Sequence, residues 1–258
     1  MNDTSPHPSE HALHRKLQRV VGKTLAEFQM IEQGDAILIG LSGGKDSLAL
    51  VDLLGERLLR AQGRFTLHAV HIAEQGIGYE ARTDYLAGQC QRYGIPLHIV
   101  TIQAELDRHT DRSPCFLCAW NRRKALFAQA RHLGCTKIAL GHHLDDIVAT
   151  TLLNLTFNGR FDTMPARLDM RKFKMSIIRP LAHIPETWLK EWAEFRRYSL
   201  PAKRCPHEHS SMRQQMKDVT AHLEQLTTDY RSSIWRALVS QHILLQQPDT
   251  DKETASLA

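Results

Sequence analysis

An apolar run, two adjacent glycines and a helix-like stretch follow one another near the start of this chain. Ala36-Ile37-Leu38-Ile39-Gly40-Leu41 leads into Ser42-Gly43-Gly44-Lys45-Asp46-Ser47, and apolar residues at helical spacing resume from Leu48. A strand that enters a helix through a glycine turn is the building unit of parallel α/β sheets, so this segment restricts the fold more than any other. It also restricts the ligand. Glycines let the backbone come close to an anion, and the N–H groups opening the next helix point at it. Lys45 adds a cation, and Ser42 and Ser47 add hydroxyl donors. Only Gly43 and Gly44 precede Lys45, too few residues to wrap a triphosphate as G-x-x-x-x-G-K-[ST] does. The expected ligand is a nucleotide phosphate held in a shorter loop.

The rest of the chain repeats the strand–helix alternation. An amphipathic helix is expected over His11–Met30, where Leu13, Leu17, Val20, Val21, Leu25 and Phe28 share a face. Residues 1–9 are polar with two prolines and read as disordered. After the loop come a helix over 46–62, a strand over 66–72, a helix over 78–93 and a strand over 96–101. A helix from near Cys118 to Leu133, a strand over 137–141 and a helix over 145–157 follow. The tail from Asp162 is less regular, with helices expected over 185–198, 212–226 and 228–245 and a loop over 201–211. This pattern predicts an α/β fold with a doubly wound parallel sheet, an N-terminal helix and a mainly helical C-terminal extension. The expected division is residues 1–30 as tip and helix, 31–184 as nucleotide-binding catalytic domain and 185–258 as helical extension.

In such sheets ligands sit beyond the carboxyl ends of the strands. The phosphate loop follows the first strand, and Gly141-His142-His143-Leu144-Asp145-Asp146 follows the fourth, so both are expected to open into one crevice. Asp46 and one of Asp145 and Asp146 are Mg²⁺ ligand candidates, because that ion takes a few carboxylates together with phosphate oxygens. Each is also a candidate helix cap. His142, His143 and Arg179 are candidate nucleotide contacts.

The chain of 258 residues contains no run of 18 apolar residues, so no membrane segment is expected. Five cysteines and no apolar leader read as reduced thiols in the cytoplasm. Cys90 and Cys135 lie in or beside helices that pack on the sheet and read as core. Cys115 and Cys118 stand at C-x-x-C spacing, and Cys205 lies in the distant stretch Lys203-Arg204-Cys205-Pro206-His207-Glu208-His209. By spacing alone a redox dithiol, a structural zinc site recruiting His207 or His209, and an iron–sulfur cluster on three thiolates all remain open. A net charge of +5 suits a polyanionic partner. Arg167, Arg171, Lys172, Lys174, Arg196, Arg197, Lys203 and Arg204 are the candidate phosphate-tracking residues.

The string Ser42 to Ser47 resembles the PP-loop of ATP pyrophosphatases, which cleave ATP between the α and β phosphates. Together with Cys115-Phe116-Leu117-Cys118-Ala119-Trp120-Asn121-Arg122-Arg123-Lys124, Thr136 to Asp146, Ile178-Arg179-Pro180-Leu181 and Cys205, it resembles the TtcA family, the tRNA 2-thiocytidine biosynthesis proteins, over residues 15–240. The resemblance implies an adenine nucleotide alpha hydrolase-like fold and an ATP-dependent sulfurtransferase acting on cytidine 32 of tRNA. It implies a [4Fe–4S] cluster on Cys115, Cys118 and Cys205, with ATP as co-substrate and Mg²⁺ held by Asp46 and Asp145. Ser42, Gly43, Gly44, Lys45, Asp46, Ser47, His142 and Arg179 would bind ATP, and Asp146, Arg122 and Lys45 would be catalytic. It further implies a cysteine desulfurase or another sulfide source as partner, and a homodimer. One departure stands out: where the family commonly has a second distal C-x-x-C, Ala202 replaces its first cysteine. That change keeps two other readings in view, a PP-loop enzyme thiolating another base or a small molecule, and a zinc-stabilised nucleotide-binding module.

Overall fold

The computed structural model describes residues 8–75, 82–103, 114–200 and 212–246. Chain order is α1 (Pro8–Glu27), β1 (Ala36–Gly40), α2 (Lys45–Arg60), β2 (Thr66–Gln75), α3 (Thr83–Gln91), β3 (Leu97–Gln103), α4 (Pro114–His132), β4 (Lys137–Ala139) and α5 (Leu144–Asn158). Then come β5 (Arg167–Met170), a 3₁₀ turn (Arg171–Phe173), β6 (Met175–Ile178), α6 (Glu186–Phe195), α7 (Met212–Leu226), α8 (Tyr230–Ser240) and β7 (Leu245–Gln246).

The strands form one sheet in the order β3-β2-β1-β4-β6-β5-β7. From β3 to β6 all neighbours are parallel. The chain winds from β1 outward through β2 to β3, then returns to lay β4 on the other side of β1. That reversal creates a crevice beyond the carboxyl ends of β1 and β4. Period-two alternation divides the core between the two faces. Ile37 and Ile39 of β1 join Leu17, Leu50, Leu54 and Leu189 in the larger cluster, whereas Leu38 joins Val70, Ala130 and Ile138 beneath α4. Residues beyond 185 share the larger cluster through Leu189, Trp192, Leu238 and Leu244. Cys90 and Cys135 are buried core residues, and burial pushes their thiols up to about 12 and about 11.

One acid interrupts the apolar face of α2. Asp52 is 1% exposed and accepts hydrogen bonds from the Tyr93 hydroxyl at 3.0 Å, the Tyr198 hydroxyl at 2.6 Å and Arg196 Nε at 3.0 Å. A buried carboxylate persists only when charge and lone pairs are met in this way. The consequence is a clasp between α2 and the end of α6.

Several expectations need correction. The sheet is not parallel throughout, because residues after Asp162 form the antiparallel pair β5–β6 where an irregular tail was expected. Helix α4 begins at Pro114, before the cysteine pair, since proline is well tolerated in a first helical turn. Helix α1 begins at Pro8, inside the stretch expected to be disordered, and α8 stops at Ser240 with β7 following. The basic tail also divides. Arg167 pairs with Asp169 at 2.9 Å, and Arg196 belongs to the Asp52 clasp. Exposed Arg171, Lys172 and Lys174 cap the β5–β6 turn, and β6 starts level with the start of β4. They therefore lie on the amino-terminal rim of the sheet, opposite the crevice. Lys203, Arg204, Cys205, His207 and His209 lie outside the described residues.

Candidate active site

The phosphate loop is held open by its own hydroxyls. Gly43 takes a φ of +87°, a conformation L side chains avoid, and Gly44 is the extended residue that opens α2. Gly44 N donates to Ser42 Oγ at 3.3 Å, Ser47 Oγ donates to the Gly44 carbonyl at 2.9 Å, and the two serine hydroxyls are 3.1 Å apart. Among the described residues no side chain caps α2, so Asp46 is not the cap and the helix start faces the crevice.

Lys45 is not left to solvent. Its ammonium lies 3.1 Å from the Asp46 carboxylate and 2.9 Å from Glu186 Oε1. Burial pulls the Lys45 pKa down, but Asp46 and Glu186 outweigh it and raise the value. Burial acts the opposite way on Glu186, yet Lys45 and Lys190 bring its carboxyl down to about 2. Lys190 reaches Glu186 Oε2 at 3.1 Å, so one carboxylate links two lysines. For Asp46, burial outweighs the pull of Lys45 and His143 and raises the pKa.

The β4–α5 loop closes directly on this region. A Cβ at Gly141 would sit 3.0 Å from the Asp46 carbonyl carbon and 3.1 Å from Ser47 N, so only glycine allows the two loops to touch. His143 is 5% exposed, with Nε2 3.4 Å from Asp146 Oδ2 and 4.0 Å from Asp46 Oδ1. Asp146 Oδ2 accepts the His143 backbone N–H at 3.0 Å, which fixes a half-exposed carboxylate at the mouth of the crevice. Arg179, at the end of β6, is buried and donates to His142 Nδ1 at 3.3 Å and to the Pro165 carbonyl. Burial, assisted by Arg123, brings its pKa down to about 10.

Asp145 turns away from the role expected for it. Its Oδ2 accepts the Glu186 backbone N–H at 2.7 Å, closing the start of α6, and its Oδ1 accepts Arg231 Nε at 2.7 Å. Arg231 in turn holds Glu224 with two bonds of 2.9 and 3.2 Å. Both oxygens are thus spent on joining α5 to α6 and α8, which leaves Asp145 poorly suited to Mg²⁺. No group of three His, Cys, Asp or Glu side chains set to hold a metal ion occurs among the described residues.

The cysteine side of the crevice is built on β2. This strand pairs with Gly40 at Val70 and continues to Gln75, overhanging the end of β1. Near its tip Glu74 is buried. The Cys118 thiol donates to its Oε2 at 2.9 Å, Arg122 Nε lies 3.8 Å from the same oxygen, and Oε1 has no hydrogen-bond partner among the described residues. Cys118 and Arg122, one turn apart on α4, face this acid together. Cys115 lies in the first turn of α4. The described donors fit a thiophilic group on this rim: the Cys118 thiol, a buried acid with an oxygen unmet among the described residues, and an arginine to balance charge. Sequence reasoning missed Glu74 and Glu186. An acid near the end of an apolar strand was a readable signal for Glu74, but Glu186 after Pro185 looks like any acid opening a helix.

A strand–glycine loop–helix facing an aspartate loop across a sheet's switch point defines a PP-loop nucleotide-binding protein, and residues 10–202 match the family model of the PP-loop domain. The chain is 34% identical to the tRNA-cytidine(32) 2-sulfurtransferase of Pseudomonas syringae pv. tomato over 89% of its length and 85% of that protein. It is 38% identical to the enzyme of that name from Nitrosospira multiformis, over 80% of this chain and 70% of that one. Within the PP-loop proteins, the chain belongs to the TtcA family. Its fold is similar to that of the U34-tRNA thiolase NcsA from Methanococcus maripaludis with its [4Fe–4S] cluster, with a TM-score of 0.73 and 27% identity over 94% of this chain and 82% of that one.

Proposed function

We propose that the protein is an ATP-dependent tRNA sulfurtransferase of the cytoplasm that converts cytidine 32 to 2-thiocytidine. The observation that supports this reading is the shared rim: the glycine loop follows β1, Asp146 follows β4 and the Cys118–Arg122 face of α4 meets Glu74 near the tip of β2, all at the carboxyl ends of three adjacent strands. The C2 oxygen of cytosine is a poor leaving group. Attack by that oxygen on the α phosphorus forms an oxygen–phosphorus bond, and the α–β bond breaks with its electron pair leaving on pyrophosphate.

Ser42, Gly43, Gly44 and Ser47 hold the phosphates through backbone and hydroxyl donors, and Lys45 neutralises charge growing on the leaving group. Asp46, beside Lys45, offers the carboxylate for Mg²⁺ shared with phosphate oxygens. Arg179 and His142 line the β4–β6 side of the nucleotide, and Asp146 polarises the activated cytosine. Asp145 serves as a fastener of α5, α6 and α8. Cys115, Cys118 and Cys205 hold a [4Fe–4S] cluster, with Arg122 balancing its negative charge. When bound, that cluster supplies the sulfur, whose donor is a desulfurase or free sulfide. Exchange of sulfur for the adenylated oxygen releases AMP. The target base leaves its stack to reach the crevice.

Nucleoside mass spectrometry of tRNA from cells lacking the gene tests this reading: 2-thiocytidine disappears and returns with the wild-type gene. Undiminished 2-thiocytidine overturns it. A second reading, uridine thiolation, is favoured by the likeness to the U34-tRNA thiolase. The same digest separates the two, since that reading removes a thiouridine.

A further inference from the structure

A groove of about 300 Å³ begins at Lys45 and runs along α6, lined by Lys190, Ala193, Glu194, Arg197, Tyr198 and Leu200. At its inner end Glu186 holds Lys45 through one oxygen at 2.9 Å and Lys190 through the other at 3.1 Å. Lys45 is the cation of the phosphate loop, so a carboxylate on its ammonium occupies the place where phosphate charge must act. Lys190 is 57% exposed and Arg197 is also exposed, so positive charge extends outward from the loop, with Glu194 the one acid among the groove's described lining residues. The backbone of Glu186 is secured independently, because its N–H donates to Asp145. Its side chain is therefore free to change partners without loosening α6.

Resting on the adenylating reading above, we propose that this groove is the exit subsite for the leaving pyrophosphate, with Glu186 as the positioning residue that competes for its cations. While the site is empty, Glu186 gathers Lys45 and Lys190. As the α–β bond breaks Lys45 already faces the leaving group, and Lys190 then turns to the pyrophosphate with it, with Arg197 as the outer contact. Glu186 then takes the lysines back, which keeps the product from binding tightly. A unit negative charge beside two cations at a partly buried site changes the affinity for a polyanion by about fivefold.

Titration with magnesium pyrophosphate, together with its product inhibition in the thiolation assay, tests the proposal. Glu186→Gln binds pyrophosphate about fivefold more tightly than wild type and is inhibited by correspondingly less of it. Lys190→Met binds it several-fold more weakly, while both variants bind AMP as wild type does. A Glu186 side chain that merely braced the fold would, when replaced, lower the melting temperature without tightening any anion. Glu186→Ala provides a second folded variant with the same expected sign. If wild type binds pyrophosphate and folded Glu186→Gln or Glu186→Ala binds it equally or less well, the proposal is overturned and the adenylating reading stands. An unchanged Lys190→Met overturns the subsite in the same way. Wild type that binds neither ATP nor pyrophosphate removes both.

Discussion

Gly141 backs directly onto Asp46, and a methyl group at position 141 would lie 3.0 Å from the Asp46 carbonyl carbon and 3.1 Å from its oxygen. These are backbone atoms at the start of α2, which cannot swing aside as a side chain would. Gly141→Ala is expected to separate the two crevice loops by a few tenths of an ångström, costing about 1–3 kcal/mol of stability. Nucleotide titration on the folded variant should give an ATP affinity roughly tenfold weaker.

Asp145 and Asp146 are neighbours with different duties. Asp146→Asn retains an oxygen to accept from His143 N, so its melting temperature should stay within about 2 °C of wild type. Thiolation should nevertheless fall roughly a hundredfold. Asp145→Ala strips Arg231 and the start of α6 of a shared acceptor, and should cost about 2–3 kcal/mol in a urea titration.

The Glu74 carboxylate holds Arg122 at 3.8 Å beside Cys118, and it releases the Cys118 thiol when that sulfur gives up its proton to become a ligand. Loss of such a supporting group commonly lowers metal affinity by about 10–100-fold. Reconstituted Glu74→Ala should lose iron to a chelator about tenfold faster than wild type. Bleaching of the visible absorbance, with iron content, measures that loss.

His183 is packed against Phe28 and Trp235 and donates from Nδ1 to Thr24, whose hydroxyl already donates to Val20. Burial, with help from Lys23, brings its pKa from 6.5 to about 4. The unfolded chain takes up a proton near 6.5 while the folded one refuses it until about 4, so acid favours unfolding across that window. This contribution is complete above pH 6.5 and lost as pH falls towards 4, on the order of 3 kcal/mol. Thermal melts between pH 7 and 4 should show a shallower decline for His183→Phe.

Asp52→Asn should shift the urea midpoint by an amount equal to about 2–3 kcal/mol, since it leaves Arg196 without its counter-charge.

What could be read from the residues was local. The loop from Ser42 to Ser47 announced itself through an apolar run and paired glycines, and Gly141 to Asp146 through its place after a buried strand. The alternation of Arg167, Leu168, Asp169 and Met170 was present but obscured by neighbouring basic residues. What could not be read were partnerships across the chain. Lys45 meets Glu186 141 positions away, Arg196 meets Asp52 144 positions away, and Cys118 meets Glu74 across 44. A charged side chain carries no mark of whether it faces water or a distant acid, so the basic tail was read as one surface when the fold spends part of it internally.

The order of strands also ranks the reagents. Cys118 and Arg122 face Glu74 at the tip of β2, the glycine loop follows β1 and Asp146 follows β4, three adjacent stations in a row. Neighbouring strands lie about 4.8 Å apart, so the outer stations are separated by roughly 10 Å, about the span of a nucleoside. On the proposed reading, a base adenylated at the middle station would have Asp146 on one flank and Cys118 on the other.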